Sequence, residues 1–489
     1  MKEVDFSRPQ HVHFMGIGGI SMSGLAEILL DRGFEVSGSD NTPSDITKHL
    51  EERGARVFYP QKAENISDGI DLVVYTAAIH PDNPEYAACK DAGIPMMTRA
   101  EFLGTLMRTY PQSVAVAGTH GKTTTTGMIG EILLLDGSKI GKKPTISIGG
   151  ILPVIRSNIY VGDSEMFLTE ACEYTNSYHD FYPKFNVILN IEEDHMDFFS
   201  DLADVRRSFR RYAENTAADG TLVINGAIPD RKEILEGLEC QILTFGDEAC
   251  DYYAENVHVI SAKDAGETRD FRDEKPLAAA PATVFSVIEK GQNIGEIRLL
   301  VPGRHNVGNA LAAIAIARAM GIEWQIIVEA LGRFTGIKRR FEYRGDVNGA
   351  HLYDDYAHHP TEIAASIAAA RSLAQNRLVV VFQPHTYTRT KAFLEDFAEV
   401  LSTADVVGLC PVYPAREEDI YGVHSEDIAA LIEKKMKEGS TECRAKECHC
   451  FADFDEAEKF LKKISSTGDL LITMGAGDVV KVADSLLRG

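Results

Sequence analysis

The segment Val114-Ala-Val-Ala-Gly118-Thr-His-Gly121-Lys122-Thr123-Thr-Thr-Thr126 restricts what this chain can fold into more than any other part of it. A short apolar run reads as a buried strand. A glycine turn follows, then Gly-Lys-Thr, then a helical pattern from Thr124 to Leu135. Glycines let backbone amides turn toward an anion, and a helix N-terminus adds donors and a favourable dipole. Gly118, Thr119, His120, Gly121 and Thr124 would wall such a phosphate site. Lys122 would reach the terminal phosphates, and the Thr123 hydroxyl would hold Mg²⁺. The strict pattern has a glycine five residues before Gly121, where this chain has Val116. The bland alternative is an ordinary strand–helix turn with a chance lysine. Four consecutive threonines opening the helix argue against it.

The class that carries such a turn is α/β. Val12–Met15, Leu72–Thr76, Val114–Ala117, Val187–Asn190, Leu378–Phe382, Val406–Leu409 and Leu470–Thr473 read as buried parallel strands with helical patterns between them. A second glycine turn, Gly16-Ile-Gly18-Gly19 to Gly24, follows the first of these strands. A third apolar series begins near Leu352. Three domains result: 1–109, 110–334 and 335–489. The expected fold is a Rossmann-like N-terminal domain, a central phosphate-loop ATPase-type domain and a Rossmann-like C-terminal domain. The polar stretch Ala262–Ala280 reads as a surface excursion of the middle domain.

Acidic residues close the ends of two strands that follow the phosphate loop. Met166–Thr169 runs into Glu170, with Glu173 three residues on, and Val187–Asn190 runs into Glu192-Glu193-Asp194-His195. Ligands in open α/β sheets gather at the carboxyl ends of strands, where a magnesium-bound nucleotide needs oxygen ligands. The first glycine turn, with Asp40 at the end of the next strand, fits NAD, a nucleotide-sugar pyrophosphate or a close-packed turn without a ligand. Asn306 and Asn309 share a helix face and either read an adenine edge or act as caps. Adjacent pairs such as Asp354-Asp355 and His358-His359 point to opposite sides of an extended chain, which disfavours a metal cage.

Net charge is −23, so the general surface should not grip nucleic acid or anionic lipid. No stretch reads as a signal peptide or membrane span, and the eight cysteines are scattered, which points to reduced thiols and the cytoplasm. Cys443, Cys448, His449 and Cys450 cluster, but fit no common zinc spacing and read as a short strand beside a helix.

Taken together, Gly118-Thr-His-Gly-Lys-Thr-Thr-Thr, Glu193-Asp-His-Met-Asp197, His305-Asn-Val-Gly-Asn309 and Arg339-Arg-Phe341 resemble the Mur ligase family, in that family's order and over essentially the whole chain. Asp354-Asp-Tyr-Ala-His-His-Pro360, Gln383-Pro-His, Met474-Gly-Ala-Gly-Asp478 and the first glycine turn resemble one branch of it. The resemblance implies ATP-dependent joining of L-alanine to the lactyl carboxylate of UDP-N-acetylmuramate through an acyl phosphate, in peptidoglycan precursor synthesis. It implies ATP and Mg²⁺ as cofactors, no nucleic-acid partner, no membrane insertion, and a monomer or weak homodimer. The first glycine turn then serves the sugar nucleotide, through Gly16, Gly18, Gly19 and Asp40, with Glu173 on the sugar side. Lys122, Glu170, His195 and Arg340 are the expected catalytic residues. Thr123 and Glu170 serve one Mg²⁺ and His195 a second. Asn306, Asn309, Arg340 and Asp355 join the phosphate loop around the nucleotide. Tyr356, His358, His385 and Arg389 line the amino-acid site, with Arg389 on its carboxylate.

Three features depart from the family pattern. Glu170-Ala-Cys172-Glu173-Tyr174 replaces Glu-Ala-Asp-Glu-Ser, and Thr386 replaces an arginine after His385. No lysine lies between Asp197 and Lys232, where Arg206, Arg207, Arg210 and Arg211 occur instead, so no carbamylated lysine is expected. The rival readings are a ligase attaching a recycled murein tripeptide to the same sugar nucleotide, an inactive nucleotide-sugar sensor, and a dehydrogenase.

Overall fold

The computed structural model describes residues 6, 8, 10–76, 78–196, 198–260, 268–269, 276–277, 282–415 and 417–488. Asp197 and most of the stretch Ala262–Ala280 fall outside them; of the latter, 268–269 pair antiparallel with 276–277.

Three large sheets form. In the first, the order is Arg56–Phe58, Glu35–Ser39, His11–Met15, Leu72–Tyr75 and Met96–Thr98, all parallel. His11–Met15 is buried along its whole length because helices cover both faces, so a continuous apolar run replaces alternation. Among the described residues the second sheet has ten strands. Its centre is Thr221–Asn225, Phe185–Ile188, Gln112–Ala117, Met166–Ala171 and Thr145–Leu152, again parallel. The phosphate-loop strand therefore lies between the two strands that end in the acidic residues. The third sheet runs Glu342–Val347, Ala350–Asp355, Leu470–Met474, Leu378–Phe382, Val406–Leu409 and Glu447–Cys450, with only its first pair antiparallel. The expected strands are all present. Val187–Asn190 shifts to Phe185–Ile188, which leaves Asn190 in the loop beyond the sheet.

The phosphate-loop helix is longer than its sequence pattern suggests. It runs Lys122–Ile140 and stops at Gly141, a left-handed C-cap at φ 72°. The Cys-His-Cys segment is an edge strand, and the His449 ring lies 4.4 Å from Phe460 on the following helix.

The chain packs as two compact units, one running to Phe334 and one from Thr335 that also takes in Ala280–Thr283 and Leu299–Val307. In the first unit the first and second sheets share one apolar core. Val12, Phe14, Leu29 and Phe102 of the first belong to the same buried cluster as Ala115, Phe167, Ile188 and Phe209 of the second. Gly24 permits the approach: a Cβ there would stand 3.1 Å from Ile159 Cδ1.

Candidate functional site

The loop after Gln112–Ala117 turns on two glycines with positive φ, Gly118 (147°) and Gly121 (83°). Neither position has room for a side chain. A Cβ on Gly118 would lie 2.9 Å from Leu189 Cβ, and one on Gly121 would lie 2.6 Å from Asn309 Oδ1. Asn190 clamps the loop from the neighbouring strand end. Its Oδ1 accepts from the His120 amide at 2.7 Å and its Nδ2 donates to the His120 carbonyl at 3.0 Å. The Thr119 hydroxyl accepts from the Glu192 amide at 2.9 Å, and His120 Nε2 lies 3.5 Å from Glu192 Oε2.

Lys122, the first residue of the helix, folds back over the loop. Its ammonium donates to the Gly118 carbonyl, to the Thr119 carbonyl at 3.1 Å, and to both oxygens of Glu173 at 2.9 and 3.2 Å. Burial opposes its charge, but Glu173, with smaller contributions from Cys172 and Glu170, outweighs burial and holds the ammonium above the ordinary lysine range. Glu173 is 2% exposed. Beside it, the Thr123 hydroxyl donates to Glu170 Oε2 at 3.1 Å, and the Gly149 amide donates to Oε1 at 2.6 Å. His195 completes the group, with Nε2 3.8 Å from Glu173 Oε1. Its backbone is left-handed (φ 55°), its amide donates to Asp194 Oδ1 at 2.7 Å, and its ring packs on Tyr174 at 4.6 Å.

This donor set fits a magnesium-bound polyphosphate. A hard divalent cation takes oxygen ligands, and a hydroxyl and a carboxylate already meet at Thr123 and Glu170. The loop amides and Lys122 supply the positive side.

At the first glycine turn, the Gly16 and Ile17 amides donate to the Ser39 carbonyl at 2.8 and 3.0 Å. Asp40 Oδ2 accepts from the Gly18 amide at 2.8 Å, so this acid braces the turn itself. Gly19 is the N-cap of the helix Ile20–Asp31. Below the turn lies a buried chain of polar groups. His13 bonds Ser37 Oγ at 2.8 Å and Glu85 Oε1 at 3.2 Å, and the Ser39 hydroxyl donates to the other Glu85 oxygen.

The second unit gathers the remaining candidates at the carboxyl ends of its parallel strands. Arg339 donates to Asp354 Oδ2 at 3.0 Å and to the Gly475 and Gly477 carbonyls at 2.8 and 3.1 Å, and so ties three segments together. Arg339 and Arg340 each lie 5.0 Å from the Tyr356 ring centre. Asp354 and Asp355 face opposite sides as expected, the first to Arg339 and Thr473, the second to Ser366 on the next helix. His358 packs between Tyr356 and His385, with ring centres 5.7 and 5.8 Å away. Arg389 Nη1 lies 3.3 Å from His385 Nδ1. Tyr413 stacks on His385 at 5.5 Å; like Asn190 and Gly149, it belongs to no motif that the sequence displays. Tyr413 lies beyond the strand Val406–Leu409, so its place at a strand end was the available signal. Of the two amides on the Ala-rich helix, Asn306 donates its Nδ2 to the Pro302 carbonyl at 2.6 Å, while Asn309 lies against Gly121.

Burial raises the Asp355 carboxyl to about 6, against the opposing pull of the Ser366 hydroxyl and Arg340. A carboxyl with a raised folded-state pKa binds its proton more tightly folded than unfolded. Stability should therefore fall as pH rises from the unfolded value of 3.8 to about 6. Asp355→Asn should remove that component. The check is the urea midpoint of wild type and variant between about pH 4 and 7.

Three family profiles match the chain: "Mur ligase family, catalytic domain" over residues 11–111, "Mur ligase middle domain" over 116–317, and "Mur ligase, glutamate ligase domain" over 339–477. Among curated proteins, a UDP-N-acetylmuramate–L-alanine ligase of Agathobacter rectalis is 53% identical across the full length of both chains. One of Lachnospira eligens is 47% identical, again across both chains. Among solved structures, the UDP-N-acetylmuramate–alanine ligase of Thermotoga maritima superposes with a TM-score of 0.76 at 28% identity, covering 98% of each chain.

Proposed function

The chain belongs to the Mur ligase family, and we propose that it joins L-alanine to the lactyl carboxylate of UDP-N-acetylmuramate at the expense of ATP. The family is ATP-dependent, and the three-sheet architecture is that of its members. Full-length identity to L-alanine ligases supports that acceptor over a murein tripeptide. The observation that carries the chemistry is the convergence of Lys122, Thr123, Glu170 and Glu173 on one phosphate loop.

A carboxylate is a poor electrophile, so it must first gain a leaving group. A lactyl oxygen attacks the γ-phosphorus of ATP, the bond to the β-phosphate oxygen breaks, and ADP leaves an acyl phosphate. The amine of L-alanine then attacks the acyl carbon, inorganic phosphate departs, and the nitrogen loses a proton. Negative charge crowds the first step. The loop amides of Gly118–Thr124 and the Lys122 ammonium stabilise it where it develops. Thr123 and Glu170 would hold one divalent cation and His195 a second, which when bound would neutralise phosphate charge. Asn309, which lies against Gly121, meets the nucleotide beside the loop. Gly16, Gly18 and Gly19 approach the sugar nucleotide's pyrophosphate, with Asp40 holding their turn. Tyr356, His358, His385 and Arg389 form the amino-acid pocket, Arg389 meeting its carboxylate. Thr386 closes that region as the N-cap of the helix Tyr387–Ala392, its Oγ1 accepting from the Arg389 amide at 3.4 Å. Among the described residues no helix is long and apolar enough to cross a membrane.

Gly121→Ala should raise the KM for ATP about tenfold or more, because a side chain in the left-handed region costs ~1–2 kcal/mol before its clash with Asn309 is counted. Steady-state kinetics at varied ATP checks this. The two-step route is tested with sugar nucleotide labelled by ¹⁸O in the lactyl carboxylate. One labelled oxygen should appear in the released phosphate, whereas unlabelled phosphate alongside product would rule out an acyl phosphate.

A further inference from the structure

Arg99 opens the helix Arg99–Met107, at the carboxyl end of the strand Met96–Thr98. The first glycine turn leaves the same edge of that sheet, because Leu72–Tyr75 lies between the two strands and runs parallel to both. The helix also packs on the segment Tyr174–Asp180. A Cβ on Gly104 would stand 2.1 Å from the Asp180 carbonyl oxygen. That segment begins directly after Glu173, the partner of Lys122. Arg99 thus lies between the turn expected to hold a pyrophosphate and the centre expected to phosphorylate a carboxylate. It is near enough to Cys172 for each to feel the other's charge.

Arg99 is half-buried, yet among the described residues it makes no hydrogen bond and no ion pair. The acid in the same helix turn and the two beside the phosphate loop are engaged elsewhere. Glu101 accepts from the Thr98 amide at 2.7 Å in a capping box, Glu173 holds Lys122, and Glu170 holds Thr123 and Gly149. A half-buried guanidinium without a counter-charge is costly, and its planar fork matches a carboxylate.

We propose that Arg99 binds the lactyl carboxylate of the sugar nucleotide and holds it for attack on the γ-phosphate. This rests on the ligase reading above. Of the substrate's two anionic groups, the carboxylate is the one that must come to the γ-phosphate at Lys122, and Arg99 neighbours Cys172, next in the chain to the Lys122 partner Glu173. The pyrophosphate has the glycine turn instead.

The test is calorimetric binding, without ATP, of UDP-N-acetylmuramate and of UDP-N-acetylglucosamine, which has the same nucleotide and lacks the lactyl group. Arg99→Gln should weaken the first about tenfold or more and leave the second within about twofold, which also shows that the variant is folded. Arg99→Lys, which keeps the charge, should restore most of the difference. Equal weakening of both ligands would place the contact on the pyrophosphate, and unchanged binding of both would leave Arg99 without a substrate role; either overturns the proposal. Failure of the unaltered chain to bind UDP-N-acetylmuramate would instead remove the ligase reading, and the proposal with it.

Discussion

Replacing Lys122 by alanine should lower kcat by about 10³-fold or more, because the ammonium is the protein cation placed on the phosphate loop where charge develops. The same change leaves Glu173, 2% exposed, without its cation. An unsatisfied buried charge of this kind costs ~1–3 kcal/mol or more. Lys122→Ala should therefore also unfold at lower denaturant. Adding Glu173→Gln should return part of the stability, since the orphaned charge is gone, but none of the rate. Chemical denaturation and turnover measured on the same three proteins separate the two effects. Recovery of both by the double variant would mean that Lys122 serves the fold and not the reaction.

The second large effect is expected at Glu170. Glutamine there keeps the size and one acceptor for the Gly149 amide or the Thr123 hydroxyl, so the fold should hold. It removes the negative charge that a divalent cation requires. The rate at fixed Mg²⁺ should fall about 10²-fold, and the Mg²⁺ concentration for half-maximal rate should rise. A Mg²⁺ titration of Glu170→Gln beside wild type reads both. A slower enzyme with an unchanged Mg²⁺ midpoint would place Glu170 outside the metal's ligands.

The parts of the structure that follow local rules were legible in the sequence. Leu378–Phe382 and Val406–Leu409 are strands with the bounds their apolar runs indicate. The phosphate loop is readable because glycine, lysine and threonine occur at fixed short spacing. Long-range pairings are not readable in this way. The sequence points Glu173 to the sugar side, and nothing at that spacing says that it holds Lys122 fifty-one residues earlier. Asn190 ends an apolar run, which fits a strand residue equally well, and only the sheet order places it against His120. Asp40 resembles a ribose acid, yet it spends one oxygen on the Gly18 amide. The common core of the first two sheets depends on Gly24 and Ile159, in elements with separate local patterns. Arg99 is one arginine among many in sequence; that no described residue hydrogen-bonds or ion-pairs with it is visible only in three dimensions.

The most direct measurement is phosphate release from ATP and Mg²⁺ with UDP-N-acetylmuramate and L-alanine, supplied together and singly, for wild type and Lys122→Ala. Sustained release that needs both substrates and disappears in the variant is the predicted result. Release supported by a murein tripeptide but not by L-alanine would contradict the acceptor, and no release with either would contradict the ligase account.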